Sequence, residues 1–350
     1  MAVLEEDGTE TGLVLWTSLR AIILWASVPL DGRDGLFPPG AADDLLRRIG
    51  AVPLDRELAI ALTTLCAVLD MPATVNPGIV SLVCGQVSRW AEGRGRSAAA
   101  LAYMVAAASI QPENGRCAAE VGRLAMASSD LGWADTWLRR AAALARRGKD
   151  WNTYGFAYLH LAEVHVRRDL PERAVRHFRT AARVGRSCGI RELRAAGKHG
   201  LARVLMEQEG RLPEAEKHAR SALRAYGQGH VRLPDILFDL AAIWVASGVY
   251  GRAVTLLRRA RTPREGPERR GMRLALLARA AAGARDHALY EASWDAARAE
   301  LDELPVAGRD QAIRELERAA ALADDGRRFA QAQALDLQLT ENSAGAGPRS

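Results

Sequence analysis

The chain has 350 residues, 49% of them hydrophobic, and carries a net charge of +6 with a pI near 9.4. That is enough apolar material for a sizeable core, and it removes any need for disulfide staples. Only Lys149, Lys198 and Lys217 among the 48 basic residues are lysines. Arg, Ala, Gly and Pro share GC-rich codons, so much of the basic bias reads as codon usage, and nucleic acid is disfavoured as a partner.

The chain opens MAVLEEDGTETG, acidic where a secretory leader is basic. Gly12–Val28 is the most apolar stretch. It is short for a membrane span, and Arg20 sits at its centre, where lipid penalises charge. A capping or core helix is expected there. The alternatives are a partner-facing helix, such as a homodimer contact through Leu13–Val28, or a membrane-surface helix, which the lack of a basic face opposes. Ser27–Asp44 reads as one long irregular linker. Residues 1–54 are therefore expected to form an N-terminal apolar helix and linker ahead of a repeat domain over 55–339.

From there the apolar spacing is helical almost throughout, with Pro- or Gly-containing breakers at regular intervals. Each interval holds one helix of roughly 12–18 residues, and the short connections imply antiparallel neighbours. Cys66, Cys84, Cys117 and Cys188 show no metal-motif spacing and lie among small apolar residues. All four are expected to be buried, and a reducing cytoplasm fits them. The last residues, 340–350, are small and polar and are expected to be a disordered tail.

The helices repeat. Tyr158–Ala182 carries Leu161-Ala162, His165, Ala174, Phe178 and Ala181; Asp239–Ala260 carries Leu240-Ala241, Trp244, Ala253, Leu257 and Ala260 at identical spacing. Val121-Gly122, Ala134, Leu138 and Ala141 fit the same frame upstream. Between them, Leu201-Ala202, Ala215, Ala219 and Ala222 repeat it with one extra residue. The anchoring alanines 134, 174, 215 and 253 stand 40, 41 and 38 residues apart. A small residue where two helices cross lets the backbones close, and a large one four positions on fills the groove beside it. A lone hairpin of this kind cannot bury both faces, so it must stack.

This pattern resembles the tetratricopeptide repeat (TPR) family. Leu-Ala in a first helix, a turn glycine, then Ala, a bulky residue and Ala in a second are carried here by Leu240, Ala241, Gly248, Ala253, Leu257 and Ala260. It is clearest over 117–260. The period exceeds the family's usual length of about 34 residues, as in the extended TPR-like repeats of bacterial regulators. The resemblance implies an all-α, right-handed superhelical solenoid of antiparallel helix hairpins.

It also implies a function, that of a non-catalytic scaffold binding a protein or peptide along the concave face of its first helices. The alternative is a sensory or regulatory peptide receptor whose output domain is on another chain. The inner-face candidates are Arg123, Phe156, Leu159, Glu163, Arg167, His199, Arg203, Phe238 and Arg279. Arg123, Arg203 and Arg279 fall at equivalent steps, which suggests an acidic, partly apolar peptide with pockets at Leu159 and Phe238. No catalytic, P-loop or dinucleotide motif is present, so no enzyme and no cofactor are expected. His160, Glu163 and His165 do not share one face, which disfavours a metal site; His165 is expected to fill the interior. The Asp169-Leu-Pro-Glu172 turn reads as a capped helix start.

Overall fold

In the computed structural model of the chain, residues 2–262, 265–302, 304, 309–325, 328 and 331–333 are described. They form helices joined by short turns, with no strand among the described residues. The chain divides into two units, Met1–Leu193 and Arg194–Ser350. The expected tail at 340–350 lies outside the described residues.

The first unit begins with α1 (Ala2–Glu6) and α2 (Glu10–Ser27), followed by the shorter α3 (Ala41–Ala51), α4 (Arg56–Leu65) and α5 (Ala67–Asp70). Three hairpins come next: α6 (Pro77–Gly93) with α7 (Ser97–Ile110), α8 (Gly115–Ala127) with α9 (Leu131–Arg147), and α10 (Trp151–Arg167) with α11 (Pro171–Ser187). The apolar α2 buries Val14, Leu15, Leu19, Ile22 and Trp25 in the same core as Tyr103 of α7. Tyr103 donates its hydroxyl to the Leu15 carbonyl at 2.8 Å, and Trp25 donates Nε1 to the Pro72 carbonyl at 2.7 Å. The segment is thus a core helix of this unit, as its composition suggests, with Ile23 and Leu24 left exposed. No helix among the described residues is long and apolar enough to cross a membrane.

The second unit holds most of α12 (Arg191–Met206), then α13 (Leu212–Tyr226), α14 (Leu233–Ala246), α15 (Tyr250–Arg259), α16 (Pro267–Gly283), α17 (His287–Asp302) and α18 (Asp310–Leu322). Here α14 pairs with α15, and α16 packs on both α17 and α18. Tyr290, Trp294, Ala297, Ile313 and Leu316 form the core of that last group.

The repeat frame holds in three dimensions. Ala134, Ala174, Ala215 and Ala253 are all fully buried, as are Ala141, Ala181 and Ala222. Leu138, Phe178 and Leu257 fill the grooves beside them and are at most 1% exposed. Gly122 shows why the first helix of that repeat carries Gly where others carry Ala. A Cβ there would sit 2.6 Å from Leu138 Cγ and 3.2 Å from its backbone nitrogen.

The turns close by one recurring device. Backbone N–H groups of Arg96, Asp130, Asp150, Leu170, Val249 and Asp286 each donate to the carbonyl five residues back, between 2.7 and 3.0 Å. This is the Schellman closure, which needs a left-handed residue just past the helix. Gly95 and Gly248 supply it, but so do Ser129, Lys149, Asp169 and Arg285. The Asp169 turn therefore differs from the sequence expectation. Asp169 takes the left-handed position at φ 53° and the N-cap falls on Leu170, which has no capping side chain. Side-chain caps are made instead by Asp130 to the Trp133 N–H and by Asp150 to the Thr153 N–H.

The cysteines also need a correction. Cys66 and Cys84 are buried and burial raises their thiol pKa, Cys66 to about 11 and Cys84 to about 12. Cys117 is half-buried and Cys188 is exposed. Cys188 lies past the end of α11, so its small neighbours line a helix terminus rather than a core.

Candidate functional site

On a first helix, the residues that hairpin packing leaves over recur at i, i+3 and i+7. On α10 packing claims Ala157, Leu161, Ala162, Val164 and His165. Phe156 and Glu163 remain half-exposed and Arg167 exposed, while Leu159 is closed to 8% exposure. Arg167 donates Nη1 to the Met126 carbonyl of α8 at 2.7 Å, a contact that orients its guanidinium without neutralising it. On α8, Arg123 is held by two carboxylates. It forms a fork with Glu92, 2.6 and 2.7 Å to the two oxygens, and Nε lies 2.9 Å from Glu120. These hydrogen bonds raise the Arg123 pKa and lower that of Glu92. Arg123 is thus a clasp between α6 and α8.

Two residues were not foreseen as part of this face. Aligning Cys84-Gly85 of α6 with Leu161-Ala162 of α10 places Ile79 and Leu82 at the steps of Phe156 and Leu159. They are 51% and 61% exposed, so α6 presents an apolar stripe where α10 presents Phe156. The signal was available in the repeat frame but lay outside its clearest copies.

In the second unit, His199 is turned into the protein at 5% exposure. Its Nε2 donates to the Asp239 carboxylate at 2.6 Å, and its Nδ1 lies 3.5 Å from the Tyr226 hydroxyl. Tyr226 in turn stacks on His230 at 4.4 Å. A ligand at His199 would have to displace Asp239. Arg203 of α12 is exposed and Phe238 of α14 half-exposed. Arg279 donates Nη1 to Glu315 of α18 at 2.8 Å, and Glu315 also receives Arg318 at 2.7 Å. Arg279, like Arg123, is tied to a carboxylate of its own unit.

His165 is 1% exposed, an interior filler as its place in the repeat implies. Its ring stacks on His177 of α11 at 5.0 Å with 16° between planes, and Nε2 lies 3.8 Å from Asp135 of α9, too far for a hydrogen bond. Neither ring nitrogen has a hydrogen-bond partner. Burial lowers the pKa of both imidazoles, that of His177 to about 4; Arg139 and other nearby arginines add to this, and Asp135 opposes it. Among the described residues no three His, Cys, Asp or Glu side chains are placed to hold a metal ion.

No known protein family matches the chain, and no curated protein matches it. Solved structures do. The apo form of RapI superposes with a TM-score of 0.58 at 12% identity, covering 76% of this chain and 99% of that one. The apo form of the quorum sensor NprR from B. thuringiensis gives 0.56 at 12% identity, covering 85% and 91%. Pseudomonas aeruginosa PilF gives 0.52 at 14% identity, covering 74% and 98%. At these identities the likeness speaks to architecture, and the architecture of this chain is the TPR-like fold of stacked helical hairpins.

Proposed function

We propose that the chain is a non-catalytic helical-repeat scaffold that binds a protein or peptide through the inner face of its first helices, in the cytoplasm. The observation that carries this reading is the set of side chains left over by packing. Ile79 and Leu82 on α6 and Phe156 and Arg167 on α10 stay accessible, and Ile79 and Phe156 stand at equivalent steps of the repeat. Such anchors suit an extended or helical segment with apolar side chains.

The acidic preference narrows under this reading. Arg123 and Arg279 are already matched by carboxylates, which leaves Arg167 as the inner-face cation of α10 without one. The ligand is therefore mainly apolar, with an acidic group beside Arg167, and Leu159 shapes the wall rather than contacts it. A nucleic acid is not the expected ligand, because this face joins apolar groups to few unmatched cations. The test is affinity capture with the wild type and with the Phe156→Ala/Leu82→Asp variant. The reading expects a partner that the variant loses; a partner held equally by both would remove it.

A second reading, a sensory receptor that passes its signal to an output domain on another chain, is favoured by the resemblance to the quorum sensor NprR. A homodimer through Leu13–Val28 would have Ile23 and Leu24 as its exposed large apolar side chains. Light scattering on the Ile23→Glu/Leu24→Glu variant tests that contact, and an unchanged mass removes it.

A further inference from the structure

The outward face of α2 is apolar, although the helix is already anchored by its inward face. Val14, Leu15, Ser18, Leu19, Ile22 and Trp25 point into the core. On the opposite side Leu13, Trp16, Arg20, Ile23, Leu24 and Ser27 stand at i, i+3, i+7, i+10, i+11 and i+14, one stripe about 21 Å long. Ile23 and Leu24 are 49% and 45% exposed, Arg20 and Ser27 are exposed, and Leu13 and Trp16 are half-buried. The hydroxyls along the stripe are spent on the helix itself. Thr17 donates to the Leu13 carbonyl at 2.8 Å and Ser27 to the Leu24 carbonyl at 2.7 Å. Arg20 is thus the one charge of the stripe. Its neighbours three and four residues away are Trp16, Thr17, Ile23 and Leu24, and the nearest acid of α2 is Glu10. Among the described residues Arg20 joins no ion pair.

This face differs from those of other helices in the unit. The outward residues of α3 include Asp43, Asp44, Arg47 and Arg48, and those of α9 include Arg139, Arg140, Arg146 and Arg147, as solvated helices require. The helix α7 also lacks charge, but its exposed residues are Ser97 and Ser109. An apolar stripe gains by burial against another apolar surface, and the arginine at its middle decides which surface fits. A two-fold pair of α2 helices that buried the whole stripe, parallel or antiparallel about its midpoint, would set Arg20 against Arg20, a desolvated contact of like charges. A bilayer would receive that charge at the deepest line of the apolar face, whereas helices lying in a membrane surface carry their cations on the polar side. A helix with a carboxylate among its apolar residues meets both demands.

We propose that the outward stripe of α2 is a second interaction surface, which docks an amphipathic helix of a partner protein carrying one Asp or Glu at the middle of its apolar face. Laid along α2 at about 8–10 Å, that helix covers Trp16, Ile23 and Leu24 with its own apolar side chains. Its carboxylate meets the Arg20 guanidinium as a fork within the contact, where the exclusion of water strengthens the pair. The arginine stem adds to the apolar cover. None of these residues belongs to the inner face, so the two surfaces can be tested apart.

The test uses the full chain and fluorescence anisotropy. The probe is a labelled helical peptide of about 18 residues with two leucines on each side of a central glutamate along one face. One control carries lysine in place of that glutamate, and the other has the glutamate moved to the opposite face. The wild type should bind the glutamate peptide at least about tenfold tighter than either control. Arg20→Glu, a change at an exposed position, should keep the fold and turn the preference toward the lysine peptide. Ile23→Ser/Leu24→Ser should weaken binding of the glutamate peptide at least about tenfold. Both variants should keep the partner captured through Phe156 and Leu82, and light scattering should give them the wild-type mass. A glutamate peptide bound no tighter than its controls, or a preference that Arg20→Glu leaves in place, overturns the proposal. So does a wild-type dimer that Ile23→Ser/Leu24→Ser breaks, or binding to phosphatidylcholine vesicles that the same variant abolishes.

Discussion

Replacing His165 with Leu should not destabilise the protein near neutral pH, although the site is 1% exposed. Most substitutions of a buried residue cost stability. Here both imidazole nitrogens are desolvated without a hydrogen bond, and Asp135 stands off at 3.8 Å. An unsatisfied buried polar group costs about 1–3 kcal/mol, and Leu fills a comparable volume without it. The expected change at about pH 7.5 lies between zero and about 2 kcal/mol of added stability. The acid limb should change as well. His165 and His177 are both held below the ordinary 6.5, His177 at about 4. The unfolded chain therefore takes up protons first: the stability due to these groups is whole above about pH 6.5 and is lost as pH falls toward about 4. For His177 the loss is at most about 3 kcal/mol. The His165→Leu/His177→Phe variant should show a flatter decline between those limits. Hydrogen exchange of the α10 and α11 amides at about pH 7.5 and about pH 4.5 measures both effects. If His165→Leu costs more than about 1 kcal/mol at the higher pH, or if the double variant falls as steeply as the wild type, the reasoning about the two desolvated imidazoles is refuted.

Gly122→Ala should cost about 1–3 kcal/mol, because the new Cβ meets Leu138 at 2.6 Å and the α9 backbone at 3.2 Å. A thermal melt checks it, and a companion Leu138→Ala should recover part of the loss. Glu265→Gln breaks the buried pair with Arg273, whose Nη2 lies 2.9 Å from the carboxylate with both side chains under 10% exposed. Leaving Arg273 unmatched should cost about 3–5 kcal/mol, read as loss of protection in α16.

The architecture was legible because its determinants are local. Ala134, Ala174, Ala215 and Ala253 are small because two backbones cross there, and that requirement repeats with the hairpin. His165 was readable as interior for the same reason. The inner face was legible only as a set of positions. Arg123 meets Glu92 from another hairpin, Arg279 meets Glu315 from another helix, and His199 meets Asp239 across a repeat. No local spacing encodes such pairings, so side chains that a helical wheel shows as free can be committed. The left-handed role of Asp169 was hidden because Asp is both a good cap and tolerant of positive φ. Ile79 and Leu82 were hidden because the repeat signal fades toward the first hairpin.

The central claim is that the inner face of the first helices holds a protein or peptide. Its most direct test is a photo-crosslinking residue placed at Phe156 and, as control, at the exposed Ala143 of α9. The account predicts a discrete crosslinked partner from position 156, absent from position 143 and lost with Leu82→Asp. The same products from both positions, or none from 156 while the intact chain still captures its partner, would contradict it.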